Sequence, residues 1–347
     1  MIFLLSNTTF AQLKYSNEFL SLGVGARSLG LSGAVTASVD DVSAGYWNPA
    51  ALIKTIDKPQ LIGMHNEQFA GIVKHDYAAI SFGLNDKSAF AFSVIRVGVD
   101  NIPNTLFLVN SSGQIDYSKI TSFSAVDYAF IGSYATKTKI EGLSIGVNVK
   151  VIRRVIGTFA DAWGFGADAA VLYQKNKWNL GFVLRDVTST FNAWNYTFSQ
   201  AEKEKLLATG NVLPQNNLEL TLPKATFGAA NKQTFFEEKF SILSTVDLDI
   251  NTDGQRNTLI SSSFFNIDPR LGLEFGYKNF VFMRCGIGNI QKIQDFNSSE
   301  NYSIMPSIGV GLKLNKVTID YALGNAFNQG LISASNIISV KLDISKN

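Results

Sequence analysis

The sequence predicts an all-β fold: a transmembrane, up-and-down antiparallel β-barrel of about 14 strands with an N-terminal plug in its lumen. Three observations predict it. Apolar residues recur with period two over most of the chain from Lys58 onward. The connections between these ribbons alternate between short polar turns and long loops. No stretch after the N-terminus approaches the ~18 to 20 continuous apolar residues of a membrane helix, so a chain that crosses lipid must do so with strands.

Composition agrees. Only 17% of residues are charged, against roughly 25% in soluble domains. Phe (26) and Tyr (11) are plentiful, and 28 Gly stand against 7 Pro, a mix suited to strands and tight turns. The net charge of +2 comes from scattered basic residues and argues against a nucleic-acid partner. The lone Cys285 excludes an internal disulfide framework and any multi-Cys metal site.

Three segments are expected. Residues 1–12, MIFLLSNTTFAQ, read as the tail of a secretory signal peptide with Thr9-Phe10-Ala11 as its cleavage site. Residues 13–56 form the plug, and residues 57–347 the barrel. The plug stretch is too rich in Gly and Ala for a core of its own. It has helix-like spacing at Leu22, Ala26 and Leu29 and then a polar Asp40-Asp41 pair. Small residues permit the close backbone approach that a filled lumen demands. Arg27 is expected to pair there with an inward carboxylate such as Asp247, Asp249 or Glu274.

The strands are expected near 58–66, 73–84, 88–98, 122–137, 140–154, 163–174, 177–186, 218–230, 240–250, 270–277, 281–289, 303–314, 316–322 and 336–344. In 144–151, for example, Ile145, Val147, Val149 and Val151 oppose Ser144, Gly146, Asn148 and Lys150. Successive side chains face opposite sides of a sheet, so each ribbon has one greasy face and one polar or tiny face. Turns such as Asn85-Asp86-Lys87 and Lys278-Asn279-Phe280 alternate with links such as 99–121 and 187–217. Short turns at one end and long loops at the other mark a barrel of the outer-membrane type. Tyr173, Trp178, Tyr277, Phe280 and Tyr321 are candidate aromatics at the lipid–water interface. Ser199-Gln200-Ala201-Glu202 has capping-box spacing and predicts a short helix that ends at Gly210.

The greasy faces then meet outer-membrane lipid, and the inward charges line the lumen. Lys150, Arg185, Asp247, Asp249, Glu274, Arg284, Lys313, Lys341 and Asp343 are the candidates, since charges at such depth must face water or one another. Catalysis finds no constellation. Gly30-Leu31-Ser32-Gly33 lacks the glycine spacing of a nucleophile elbow, and Gly23-x-Gly25 is no dinucleotide fingerprint. His65 and His75 are expected to face each other across the first hairpin, but two ligands do not make a zinc site. No metal, no cofactor and no enzymatic activity are expected.

One stretch carries a family resemblance. Phe19-Leu20, Gly23-Val24-Gly25-Ala26-Arg27, Gly30, Gly33-Ala34, Asp40-Asp41 and Tyr46-Trp47-Asn48-Pro49-Ala50-Ala51-Leu52 resemble the start of the PorV/PorQ family, relatives of the FadL-type barrels. Leu222-Pro223, Gly272-Leu273-Glu274, Arg284 and Gly286 resemble later features of it. The resemblance implies a fourteen-stranded barrel in the outer membrane of a Gram-negative, Bacteroidota-like bacterium. It makes Arg27, Asp40, Asp41, Trp47, Asn48 and Pro49 the plug motif. The role it implies is type IX protein secretion or surface attachment of cargo, through extracellular-loop contacts with secretion-system or cargo proteins. The alternative is passive, FadL-like transport of a hydrophobic ligand. The C-terminal Ile344-Ser345-Lys346-Asn347 lacks the terminal aromatic usual in such barrels.

Overall fold

The computed structural model describes residues 16–110, 112–262, 264–294, 300–326 and 334–344. The expected signal-peptide tail, the first residues of the expected plug and the last three residues lie outside them. The strands are β1 (Gln60–Gln68), β2 (Val73–Asn85), β3 (Ser88–Asn104), β4 (Thr121–Lys137), β5 (Leu143–Ile156), β6 (Ala160–Lys175), β7 (Trp178–Arg185), β8 (Phe191–Tyr196) and β9 (Asn217–Leu220). They continue as β10 (Lys224–Phe235), β11 (Phe240–Asn251), β12 (Ile260–Ser261), β13 (Asn266–Tyr277), β14 (Val281–Gln294), β15 (Glu300–Leu314), β16 (Val317–Gly324) and β17 (Ser335–Asp343).

These segments make fourteen staves of one closed antiparallel barrel. β7 and β8 both pair with β6 and are two halves of one stave; β9 and β10 are likewise two halves of the next. β12 is a two-residue pairing in the loop before β13. Closure comes from β1 against β17, where Gln60 pairs with Asp343 and Glu67 with Asn336. A closed sheet leaves no unpaired edge, the condition for a sheet in lipid.

All fourteen expected ribbons are present. The faces are as the alternation predicts: Ile145, Val147 and Val149 are exposed outward, and Ser144, Asn148 and Lys150 are buried inward. The two stave breaks are new. Asp186 and Ser189 take left-handed backbone angles, and Pro223 has no N–H to give to the ladder, so the regular ladder lapses at 186–190 and 221–223, where single bonds from Val187 N to Ala167 O and from Thr221 N to Thr190 O remain. The stretch expected as one loop, 187–217, therefore contains wall strand near its start, at β8. The expected helix is present at Gln200–Ala208, with both capping-box bonds of Ser199 and Glu202 formed.

One expectation fails. In the β1–β2 register His65 pairs with Asp76 and His75 with Asn66, one position apart, so the two imidazoles lie on opposite faces of the wall. His75 is buried inward and His65 is exposed outward. An offset of one residue reverses the face in a strand.

Residues 16–56 pack against the inner wall. Helices α1 (Ala26–Gly30) and α2 (Ala44–Trp47) precede a 3₁₀ turn at Pro49–Thr55. α1 lies on β14 to β17, and α2 and the 3₁₀ turn lie on β2 to β6 across the lumen. Val24, Leu31, Val35, Val39, Val42 and Leu52 are fully buried in the main apolar cluster. Helix α3 (Gln200–Ala208) stands outside, in the long loop between β8 and β9.

Candidate functional site

The candidate site is the lumen above this buried segment, and its floor is Tyr46-Trp47, with Asn48 buried behind them. Asn48 is the N-cap of the 3₁₀ turn: its Oδ1 accepts from Ala50 N at 3.0 Å, and its Nδ2 donates to Thr36 O at 2.8 Å. Pro49 suits the first position of the turn, where no N–H is needed. Trp47 Nε1 donates to Val24 O at 2.9 Å, and the Tyr46 and Trp47 rings meet edge to face at 4.9 Å. Ser144 Oγ donates to Ala50 O, and Asn148 Nδ2 to Gly45 O. The polar face of β5 thus satisfies backbone groups that the segment buries.

The inward charges form three groups. In the first, Arg27 reaches Asp40 at 2.8 Å and Glu274 at 2.9 Å, and Arg284 joins Glu274 to Asp320 at 2.6 Å each. Of the three carboxylates expected for Arg27, only Glu274 is its partner. In the second, Asp247 accepts from the N–H groups of Val35 and Thr36 at 3.0 Å, while Arg270 holds Asp249 at 2.7 Å. In the third, Lys150 holds Asp168 at 2.7 Å and also Asp186, at the stave break. Asp41 accepts from Ser43 and lies 3.7 Å from Lys341. Asp343 accepts from Gln60 at 2.9 Å at the closure seam. Lys313 sits half-buried one residue before the β15 end and joins none of the three groups.

Sequence reasoning missed Glu18, Lys224 and Arg256. Glu18 lies 3.3 Å from Lys224 and 3.1 Å from Arg256, which also holds Asp253. These contacts tie the start of the buried segment to β10 and to the long loop after β11. Burial raises the Glu18 carboxyl, but Lys224 and Arg256 outweigh it and hold it below its ordinary value. No local pattern announces the cluster, because Glu18 lies more than 200 residues from Lys224 and from Arg256.

Above the floor is a vestibule of about 570 Å³. Leu20, Leu22, Trp47 and Tyr46 give it apolar surface; Arg185, Asp249, Asp268 and Arg270 give it charge. The Arg185 guanidinium lies 4.9 Å over the Tyr46 ring, and that of Arg270 5.8 Å over the Trp47 ring. Leu20, Ser21, Tyr46, Arg185 and Lys224 also line a small cavity of about 30 Å³ that reaches Asp186 and Thr221 at the stave breaks. A larger groove, about 940 Å³, lies among the long loops, between Phe107, Val109, Phe123, Phe159 and Lys205 of α3.

No protein-family model and no curated protein sequence matches the chain. Solved structures do. The Pseudomonas putida toluene transporter TodX superposes with a TM-score of 0.58 at 13% identity, over 94% of this chain and 99% of that one. The CymD monoaromatic hydrocarbon channel gives 0.57 at 13%, over 93% and 98%. A Pseudomonas aeruginosa FadL homologue gives 0.53 at 13%, over 92% and 98%. The chain shares the fold of these proteins. At such identity the likeness concerns the fold, and the residues of the vestibule are this chain's own. The resemblance to PorV/PorQ is carried by the quoted motifs alone, and none of these comparisons adds to it.

Proposed function

We propose that this chain sits in the outer membrane of a Gram-negative bacterium and passes hydrophobic compounds through its wall without catalysis. Residues 16–56 act as the plug. The observation that carries the reading is that the vestibule ends on the Tyr46–Trp47 floor yet shares five lining residues with the cavity at the stave breaks. A solute admitted from the long-loop end meets a filled lumen below and interrupted pairing at its side. The loop groove, with Phe107, Phe123 and Phe159, is suited to first capture. The charges beside Tyr46 and Trp47 favour a solute with an apolar body and a polar end. The fold shared with hydrocarbon channels supports transport over the secretion-associated role first implied by the N-terminal motif.

The test is uptake. Cells that lack their own hydrocarbon channel and express this chain should take up a labelled monoaromatic compound several-fold faster than empty-vector cells, with sugar uptake unchanged. Equal uptake in the two strains, together with lost cargo secretion in a deletion of the native gene, would restore the secretion reading.

A further inference from the structure

The outward face of the wall is not uniform. On β15 every second residue from Leu314 up to Tyr302 is apolar or aromatic. On β3 the outward series from the short turn is Phe90, Phe92, Val94 and then Arg96. On β2 it passes Leu84, Phe82, Ile80 and Ala78 to reach Asp76, and on β1 it passes Leu61 and Gly63 to reach His65. A span of ~9–11 residues carries about five outward side chains. The charges on β1 to β3 therefore begin inside the depth that lipid would cover.

They are joined to one another. His65 Nδ1 lies 2.7 Å from Asp76 Oδ1, Arg96 lies 3.3 Å from Asp76, and Lys74 lies 3.4 Å from Asp100. Glu67 lies 3.6 Å from His65. The register extends the row through Tyr128 and Arg153 to Trp163, with Arg153 4.9 Å over the Trp163 ring. Ionisable groups at membrane depth require water, one another or a protein partner, and each of these side chains keeps a quarter or more of its surface open.

We infer that a second copy of this chain docks on the β1–β3 face about a two-fold axis. An isologous contact brings a patch against itself, so the patch must be self-complementary. This one is: Glu67 and Lys74 are register partners, as are His65 and Asp76, so a two-fold axis along the membrane normal between β1 and β2 swaps each pair and sets Lys74 against Glu67 and Asp76 against His65 of the other copy. Just below the charges, Gly63 and Ala78 are register partners with no bulk to hold a neighbour away; nothing lies within 4 Å of a Cβ built on Gly63.

The inference rests on the outer-membrane reading. The test is an Ala78→Cys variant in a Cys285→Ser background, oxidised in isolated outer membranes, beside a Val246→Cys control on β11, seven staves away. Most of the Ala78→Cys protein should run as a disulfide-linked pair, and the control should not. Wild-type protein in lipid nanodiscs should have twice the monomer mass, and Ala78→Trp, which alters only an exposed outer position, should halve it. A wild-type monomer in nanodiscs, or an Ala78→Cys cross-link to a different polypeptide, overturns the inference. A monomer that still fractionates with the outer membrane removes the pairing alone; a freely soluble protein removes both readings.

Discussion

Gly146 of β5 and Ala50 of the buried segment touch backbone to backbone: a Cβ on Gly146 would overlap the Ala50 nitrogen. The same holds where Gly286 of β14 meets Leu31 across the lumen. Glycines on the inner face thus decide how closely the segment lies against the wall. Gly146→Val is expected to shift the 3₁₀ turn off β5 at a cost of about 1–3 kcal/mol, the usual range for overpacking. Faster protease cleavage within residues 16–56, with the barrel still heat-modifiable on gels, is the readout.

Arg27 joins the segment to the wall through Glu274, which Arg284 also holds. Arg27→Ala leaves Asp40 without its nearest cation and Glu274 with one partner fewer. Breaking a buried ion pair from one side costs about 3–5 kcal/mol. Hydrogen exchange in Ala26–Gly30 should rise by orders of magnitude, and exchange in β3 and β4 should not change.

Trp47 closes the vestibule floor. Trp47→Ala removes a buried indole and its bond to Val24 O, a loss of about 3–5 kcal/mol for such a truncation. Single-channel recordings in planar bilayers should show a larger or more often open conductance than wild type. Unchanged recordings would mean that the floor lies elsewhere.

Glu18 gives the segment a pH dependence. Its carboxyl titrates lower in the folded chain than its ordinary value of 4.5. A depressed carboxylate contributes stability above the unfolded value and loses it as pH falls through the folded one. The ties to Lys224 and Arg256 should therefore hold at neutral pH and weaken only as pH falls below the ordinary carboxyl value of 4.5. Proteolysis near residue 18 by an acid-active protease should accelerate over that range, and Glu18→Gln should be susceptible at every pH.

The wall was legible in the sequence because its cause is local. Each second residue of 144–151 or 270–277 is greasy wherever the strand faces outward; connection length was a weaker guide, since the short turns 69–72 and 157–159 lie at the long-loop end. The capping box of α3 is local too. The lumen was not legible to the same degree. Asp247 and Asp249 were as plausible for Arg27 as Glu274, because inward charge can be read from parity but its partner cannot.

What the sequence alone determined, then, is the alternation of faces along each ribbon and that the sheet has about fourteen staves. What the tertiary structure decided is register and pairing across the lumen. It set His65 and His75 on opposite faces, broke two staves at 186–190 and 221–223, and brought Glu18 to Arg256. The reason is physical: the face of a strand residue follows from its immediate neighbours, whereas an ion pair such as Arg27–Glu274 spans 247 positions and exists only once the sheet has closed around the segment.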